Sequence, residues 1–374
     1  MKKKILFVTC TRADYGKLKS LIINIQKNNN FISKIFVSGM HNIRLYGSTY
    51  EELVKDKIRG IFRYSNQTKN SRMDQILMST IRGFSPFLTK YKPDLVIVHG
   101  DRVEPLACAL TSLLNNFLVA HIEGGEVSGA VDEMLRHSIS KIAHLHLVSN
   151  KIARKRLIQM GENKKSIFEV GSPDVDIVLS KNLPNMTMVR ERYNIRFDKF
   201  NIAIIHPVTT NLTNLEKESK IFFSSLVKSK LNYIIIFPNN DLGSKIILKR
   251  IYKLKNNNKF KFFPSLKFEY YLALLKNAKF IIGNSSSGIM GAPYYGITTI
   301  NIGTRQTNRL KTKLIKNIPF NEKIIIKTIN QIKNRKIVKR KFFGQGNSAK
   351  KIEKLLLSKK IWNISKQKNF IDLI

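Results

Sequence analysis

Residues 95–126 read LVIVHGDRVEPLACALTSLLNNFLVAHIEGGE. Two short apolar runs, Leu95–His99 and Leu118–Ile122, flank a segment, Glu104–Leu114, whose apolar residues recur at helical spacing. The runs are apolar on both faces, as strands buried inside a parallel sheet must be, so the stretch is a βαβ unit. The same rhythm extends outward. Strands are expected at Lys4–Cys10, Lys34–Ser38, Leu145–Ser149 and Ile167–Val170, with helices at Gly16–Gln26, Met73–Tyr91, Asp132–Ile142 and Lys151–Met160. A polar segment around Pro184 interrupts it, which puts a linker near residues 175–190. It then restarts with strands at Ile202–Ile205, Tyr233–Phe237, Phe260–Phe263, Phe280–Ile282 and Thr298–Ile302. Helices are expected between them at Leu215–Lys228, Ser244–Lys253, Phe268–Leu275 and Ser287–Tyr295. The fold class is therefore α/β, with two doubly wound, Rossmann-like domains spanning 1–180 and 181–346. Residues 347–374 read as basic helices whose apolar positions Ile352, Leu355, Leu356 and Ile361 pack back toward the first domain. A length of 374 residues agrees with two domains at roughly 150 residues each.

The formal net charge of +41 is extreme, yet 43% apolar residues provide for packed cores. Lys, Asn and Ile are abundant everywhere, as in Lys27-Asn-Asn-Asn30, so the excess reads as a surface bias spread over the whole chain. No zinc-finger, basic-zipper or RNP-type pattern accompanies it, and nucleic acid is not an expected partner. The longest apolar runs are far short of the roughly 20 residues that span a bilayer, so no membrane contact is expected and the chain is read as cytoplasmic. Cys10 and Cys108 lie in apolar surroundings and read as buried thiols. His144 and His146 alternate on one strand but lack a third partner at metal-ligand spacing, so no metal and no cofactor are expected.

Ligands of open α/β sheets bind beyond the carboxyl ends of the strands. Here those ends are rich in polar chemistry: Thr9-Cys-Thr-Arg-Ala-Asp-Tyr-Gly16, Ser38-Gly-Met-His41, His99-Gly-Asp-Arg102 and His121-Ile-Glu-Gly-Gly-Glu126, followed by Asp132-Glu-Met-Leu-Arg-His137. Asp101, Glu123 and Asp132 would repel an anion unless they serve proton chemistry. Asp132 and Arg136, four apart at a helix start, share a face, which lets Arg136 pair with Asp132 and reach a diphosphate. The second domain offers His206-Pro-Val-Thr-Thr210 and the small-residue turn Gly283-Asn-Ser-Ser-Ser-Gly288, whose backbone N–H groups suit a phosphate.

Together with Gly303-Thr-Arg-Gln306, these motifs resemble the UDP-N-acetylglucosamine 2-epimerase family, in order from residue 5 to about residue 310. The likeness is greatest to its hydrolysing branch, which feeds sialic-acid-type nonulosonate synthesis. The resemblance implies a GT-B-like pair of domains facing a cleft that holds UDP, often in a homodimer. It implies elimination of UDP from UDP-N-acetylglucosamine to a 2-acetamidoglucal, then addition of water to release N-acetylmannosamine. The same reaction on UDP-2,4-diacetamido-2,4,6-trideoxyglucose is an alternative, as are a non-hydrolysing epimerase and a GT-B glycosyltransferase. By motif position Asp101, Glu123, Asp132 and His206 match catalytic groups. Arg12 and Arg136 match positive positions near the diphosphate and Ser285 with Ser286 the serine turn that holds it; His41, Ser287 and Arg305 are further candidate UDP-sugar contacts, and the uracil is expected near Phe263–Leu266. Two positions depart from the family pattern: Gly291 stands where a ribose-binding glutamate is usual, and Asn308 where a glycine precedes Arg309.

Overall fold

The computed structural model describes residues 2–68, 70–332 and 342–372. The chain divides into two compact units, one made of Met1–Glu126, Asp132–Leu179 and Phe342–Ile374, the other of Val127–Val131 and Ser180–Lys341. Residues 333–341, inside the span expected for the second domain, lie outside the described residues.

The first unit holds seven parallel strands: β1 (Lys3–Thr9), β2 (Phe31–Val37), β3 (Ile61–Arg63), β4 (Leu95–His99), β5 (Leu118–Ile122), β6 (Leu145–Val148) and β7 (Ile167–Glu169). Their order is β3-β2-β1-β4-β5-β6-β7. One face packs under the helix Arg12–Lys27, where Leu18, Leu21, Ile22 and Ile25 are fully buried. Ala349, Ile352, Leu356 and Ile361 of the C-terminal helices Ser348–Leu357 and Lys359–Trp362 join this core. The other face is covered by Phe84, Phe87 and Leu88 of the helix Met73–Tyr91 and by Cys108 and Ala109 of the helix Val103–Leu114.

The second unit holds six parallel strands: β8 (Asn201–Ile204), β9 (Tyr233–Ile236), β10 (Phe260–Phe263), β11 (Phe280–Gly283), β12 (Thr298–Ile302) and β13 (Ile315–Ile318), in the order β10-β9-β8-β11-β12-β13. Strand order reverses between β1 and β4 in one unit and between β8 and β11 in the other. At such a point the outgoing loops diverge and leave a crevice.

Two further edge strands, β3 (Ile61–Arg63) and β13 (Ile315–Ile318), are not among those expected from the sequence. The expected linker near 175–190 is helical in part, with Pro173–Val178 and Met186–Tyr193. The helix expected over Ser287–Tyr295 breaks at Gly291 into Ser287–Met290 and a 3-10 turn Ala292–Tyr295, since Pro293 has no N–H to continue the ladder.

Gly283 ends β11 at φ +132°, and a Cβ there would sit 1.8 Å from the carbonyl oxygen of Ile204 on β8. Gly283→Ala should therefore break the β8/β11 pairing and cost more than about 3 kcal/mol of unfolding free energy in urea titrations. Gly100→Ala, at φ +76° with open space around it, should cost only about 1 kcal/mol of backbone strain.

Candidate active site

In the first unit the loop after β1 turns into a helix because Thr11 caps it, its hydroxyl accepting from the Asp14 N–H at 3.1 Å. The Cys10 N–H donates to the Asp14 carboxylate at 2.7 Å and aims it inward. There His99, at the end of β4, lies with Nδ1 3.2 Å from Asp14 Oδ1 and Nε2 3.3 Å from Glu123 Oε2. Glu123 follows β5 with a left-handed backbone, φ +67°, a conformation a glutamate holds only under constraint. Ser172, beyond β7, donates its hydroxyl to Glu123 Oε1. Lys17 lies 3.8 Å from Glu123 and 3.0 Å from Asp174.

Burial dominates the electrostatics of this cluster, and the neighbours reverse it selectively. For His99 burial opposes the imidazolium, but the Glu123 charge and the bonds to Asp14 and Glu123 outweigh it and push the pKa up to about 9. Glu123 is held far below the carboxylate range despite its burial, by Lys17 and His99. Asp14 is also lowered against its burial, chiefly by His99. Asp174 moves the other way, because burial, reinforced by the Glu123 charge, exceeds what Lys17 offers.

Beside this cluster Arg136, 1% exposed, donates to the Asp101 carboxylate and, at 3.1 Å, to the Glu126 carbonyl. Arg136 thus pairs with Asp101, on a different element, while Asp132 lies half-buried in the first turn of the helix Val131–Ile142 and adds its charge to the guanidinium's surroundings. The Asp101 side chain keeps 29% of its surface exposed. His121 steadies the turn before it: Nε2 contacts the Gly100 carbonyl at 2.8 Å and so carries the proton, and Nδ1 faces the Ser140 hydroxyl at 3.0 Å. Burial lowers its pKa to about 3, so the ring is neutral.

Arg12 forms an ion pair with Glu52 at 3.0 Å. Glu52 belongs to the helix Tyr50–Lys55, which the sequence reading missed. His41 is fully buried, with Nε2 3.0 Å from Thr9 Oγ1 and Nδ1 2.7 Å from Thr49 Oγ1. With its nitrogens against the Thr9 and Thr49 hydroxyls and its pKa lowered by burial to about 4, His41 is a neutral ring that ties the loop after β2 to both.

In the second unit Asn284 joins the two strand ends at the reversal point. Its Oδ1 accepts from the His206 N–H at 2.7 Å, and its Nδ2 donates to the His206 carbonyl at 2.8 Å. His206 Nδ1 accepts from the Asn239 N–H at 3.2 Å, which leaves the proton of the neutral ring on Nε2. Arg305, 8% exposed, donates to the Asn284 carbonyl at 3.3 Å. Ser285, Ser286 and Ser287 are half-buried, with Ser285 and Ser287 hydroxyls 3.0 Å apart. Phe263 and Leu266 line a buried wall, with Tyr193 edge-on to Phe263 at 5.3 Å.

The sequence model of the family described as UDP-N-acetylglucosamine 2-epimerase matches residues 23–357. The chain belongs to this family. It is 42% identical to a UDP-N-acetylglucosamine 2-epimerase of Neisseria meningitidis serogroup B, over 99% of both chains. A GDP/UDP-N,N'-diacetylbacillosamine 2-epimerase (hydrolyzing) of Campylobacter jejuni is 36% identical over 86% of this chain and 85% of its own. Among solved structures, a Neisseria meningitidis UDP-GlcNAc 2-epimerase bound to UDP-GlcNAc superposes with a TM-score of 0.79 at 18% identity, covering 95% of this chain and 99% of the other. That likeness shows the shared fold, two parallel sheets with helices between the strands.

Asp14, Lys17, Ser172 and Asp174 were not singled out in the sequence. For Asp14 the signal was the Thr11-Arg-Ala-Asp14 cap, and for Ser172 and Asp174 it was Gly171-Ser-Pro-Asp174, a further polar strand end. The buried network predicts a pH signature. Because the folded His99 pKa lies near 9, above its ordinary 6.5, its stabilising contribution is fully present below about pH 6.5 and is lost as pH rises through 9. Urea-derived stability should fall by on the order of 3 kcal/mol across that window. A His99→Gln variant should be less stable at pH 6.5 and show no such slope.

Proposed function

We propose that the chain is a hydrolysing UDP-N-acetylglucosamine 2-epimerase, converting UDP-N-acetylglucosamine and water to UDP and N-acetylmannosamine for nonulosonate synthesis. The observation that carries the reading is the set of carboxylates at the strand ends of the first unit, kept ionised or exposed by separate means, in a chain whose relatives act on UDP-N-acetyl sugars. The reaction breaks the C2–H and C1–O bonds, forms a C1=C2 double bond with UDP leaving on its oxygen, and then adds water with hydroxyl at C1 and hydrogen at C2. Such chemistry needs one fixed negative charge near the anomeric carbon and one group able to exchange protons. A carboxylate held far below its ordinary pKa is a poor base, so Glu123 supplies the fixed charge. Asp101, more exposed, and Asp132 then handle the protons. By the family resemblance Arg12, Arg136, Arg305 and the serine turn Ser285–Ser287 are the groups assigned to the diphosphate, and His206 offers its Nε2 proton to the leaving oxygen.

The name of the Campylobacter relative supports the hydrolysing step and also a second substrate, the diacetamido-trideoxy sugar nucleotide. A cytoplasmic location goes with the reading, and no helix among the described residues is long and apolar enough to cross a membrane.

Incubation with each sugar nucleotide in deuterium oxide, followed by NMR, should show UDP and free N-acetylmannosamine deuterated at C2. Stable UDP-N-acetylmannosamine without free sugar would instead assign a non-hydrolysing epimerase. Asp101→Asn, Glu123→Gln and Asp132→Asn should each lower turnover at least about 100-fold with UDP affinity changed only a few-fold, and near-full activity in all three would remove the carboxylates from the mechanism. At Gly291 a Cβ would lie 3.2 Å from the Ser287 carbonyl and 3.3 Å from Leu275, so a side chain fits if Leu275 yields a few tenths of an ångström. Gly291→Glu should restore a ribose acceptor and tighten UDP binding about 5- to 100-fold by calorimetry.

A further inference from the structure

The serine turn of the second unit is backed by a buried phenol that neither the motifs nor the family resemblance brought forward. Tyr271, on the helix Phe268–Asn277, is 7% exposed, and its hydroxyl donates to Ser287 Oγ at 2.7 Å. Burial pushes the phenol pKa upward, so the proton stays on the oxygen. A buried hydroxyl without an acceptor is costly, and Ser287 is the one Tyr271 has among the described residues, which sets the direction of that bond. Ser287, accepting from Tyr271, turns its own proton to Ser285 Oγ, 3.0 Å away. Ser285 Oγ also receives the Ser287 N–H at 3.4 Å. Both lone pairs of Ser285 are then occupied, and what this half-buried hydroxyl has left to offer is its proton.

We infer that Tyr271 is a positioning residue which, through the relay Tyr271–Ser287–Ser285, makes Ser285 an obligatory hydrogen-bond donor and so selects a fully ionised diphosphate at this turn. The inference rests on the proposed binding of the UDP diphosphate at the serine turn, through Ser285. A relay of aligned hydroxyls strengthens the last donor and disfavours ligands that bring a donor of their own.

Titration calorimetry of the full chain with UDP and with uridine tests it, using Tyr271→Phe, Ser285→Ala and the double variant. Tyr271→Phe keeps the ring and removes only the hydroxyl. It should weaken UDP binding about 5- to 20-fold and leave uridine binding unchanged. Ser285→Ala should weaken UDP binding by at least as much, and the double variant no further, because the phenol acts only through Ser285. Equal losses for UDP and uridine, or additive losses in the double variant, would overturn the relay and leave Tyr271 a packing residue. Unchanged UDP affinity in Ser285→Ala would instead overturn the assignment of the serine turn to the diphosphate. A loss in Ser285→Ala with none in Tyr271→Phe would sink the relay alone.

Discussion

The His99 imidazole, wedged between the Asp14 and Glu123 carboxylates, is the interaction on which the first unit's chemistry depends. The histidine and its two partners come from the segments that follow three strands, β1, β4 and β5, and Ser172 and Lys17 tie in β7 and the first helix. Removing any one charge leaves a buried countercharge without its partner, which is far more costly than the pair is stabilising. The same network explains the left-handed backbone at Glu123. The strain is small beside the contacts to His99, Lys17 and Ser172 that hold the side chain, and the turn lets Gly124 and Gly125 carry the chain past Ser140 and Ala153 with no Cβ in the way.

The two units use one topological device for different chemistry. In the first, the reversal between β1 and β4 gathers groups whose charge is contested: a raised histidine, a lowered glutamate and a raised aspartate. In the second, the reversal between β8 and β11 is spanned by a neutral amide, Asn284, which makes two hydrogen bonds to the His206 backbone and is indifferent to pH. Groups that must exchange protons need contested pKa values, whereas a turn that holds an anion needs fixed donors. Asn284, the serines and the buried phenol of Tyr271 are all of the second kind.

The net charge of +41 takes on a different meaning once burial is known. Among the described residues Arg136 and Arg305 are the arginines buried deeply enough to be part of a site's framework, and most lysines are exposed. The scarce acids carry the opposite lesson, since Glu104, Glu123, Glu126 and Glu162 are all at or below 3% exposure. In a chain this basic, an acid withdrawn from water marks a place where the fold supplies its countercharge, as Lys141 and Lys368 do for Glu162.

Local order was legible in the amino-acid sequence because it depends on local forces. The apolar runs place β4, β5, β10 and β12 to the residue, and the 3.6-residue periodicity places the helices Met73–Tyr91 and Leu215–Lys228 equally well. The motifs named the strand-end loops in advance because ligand chemistry must lie there in a parallel sheet. What needed the tertiary structure were contacts between loops distant in the chain. Spacing set Asp132 one turn from Arg136, and packing added Asp101, 35 residues earlier. The strand-end loop named His41, and packing set its nitrogens against Thr9 and Thr49. The His99 bridge, the Ser172 grip on Glu123 and the Tyr271 relay are invisible to periodicity for the same reason. Their partners lie between 16 and 85 residues apart, and only the sheet order brings them within hydrogen-bonding distance.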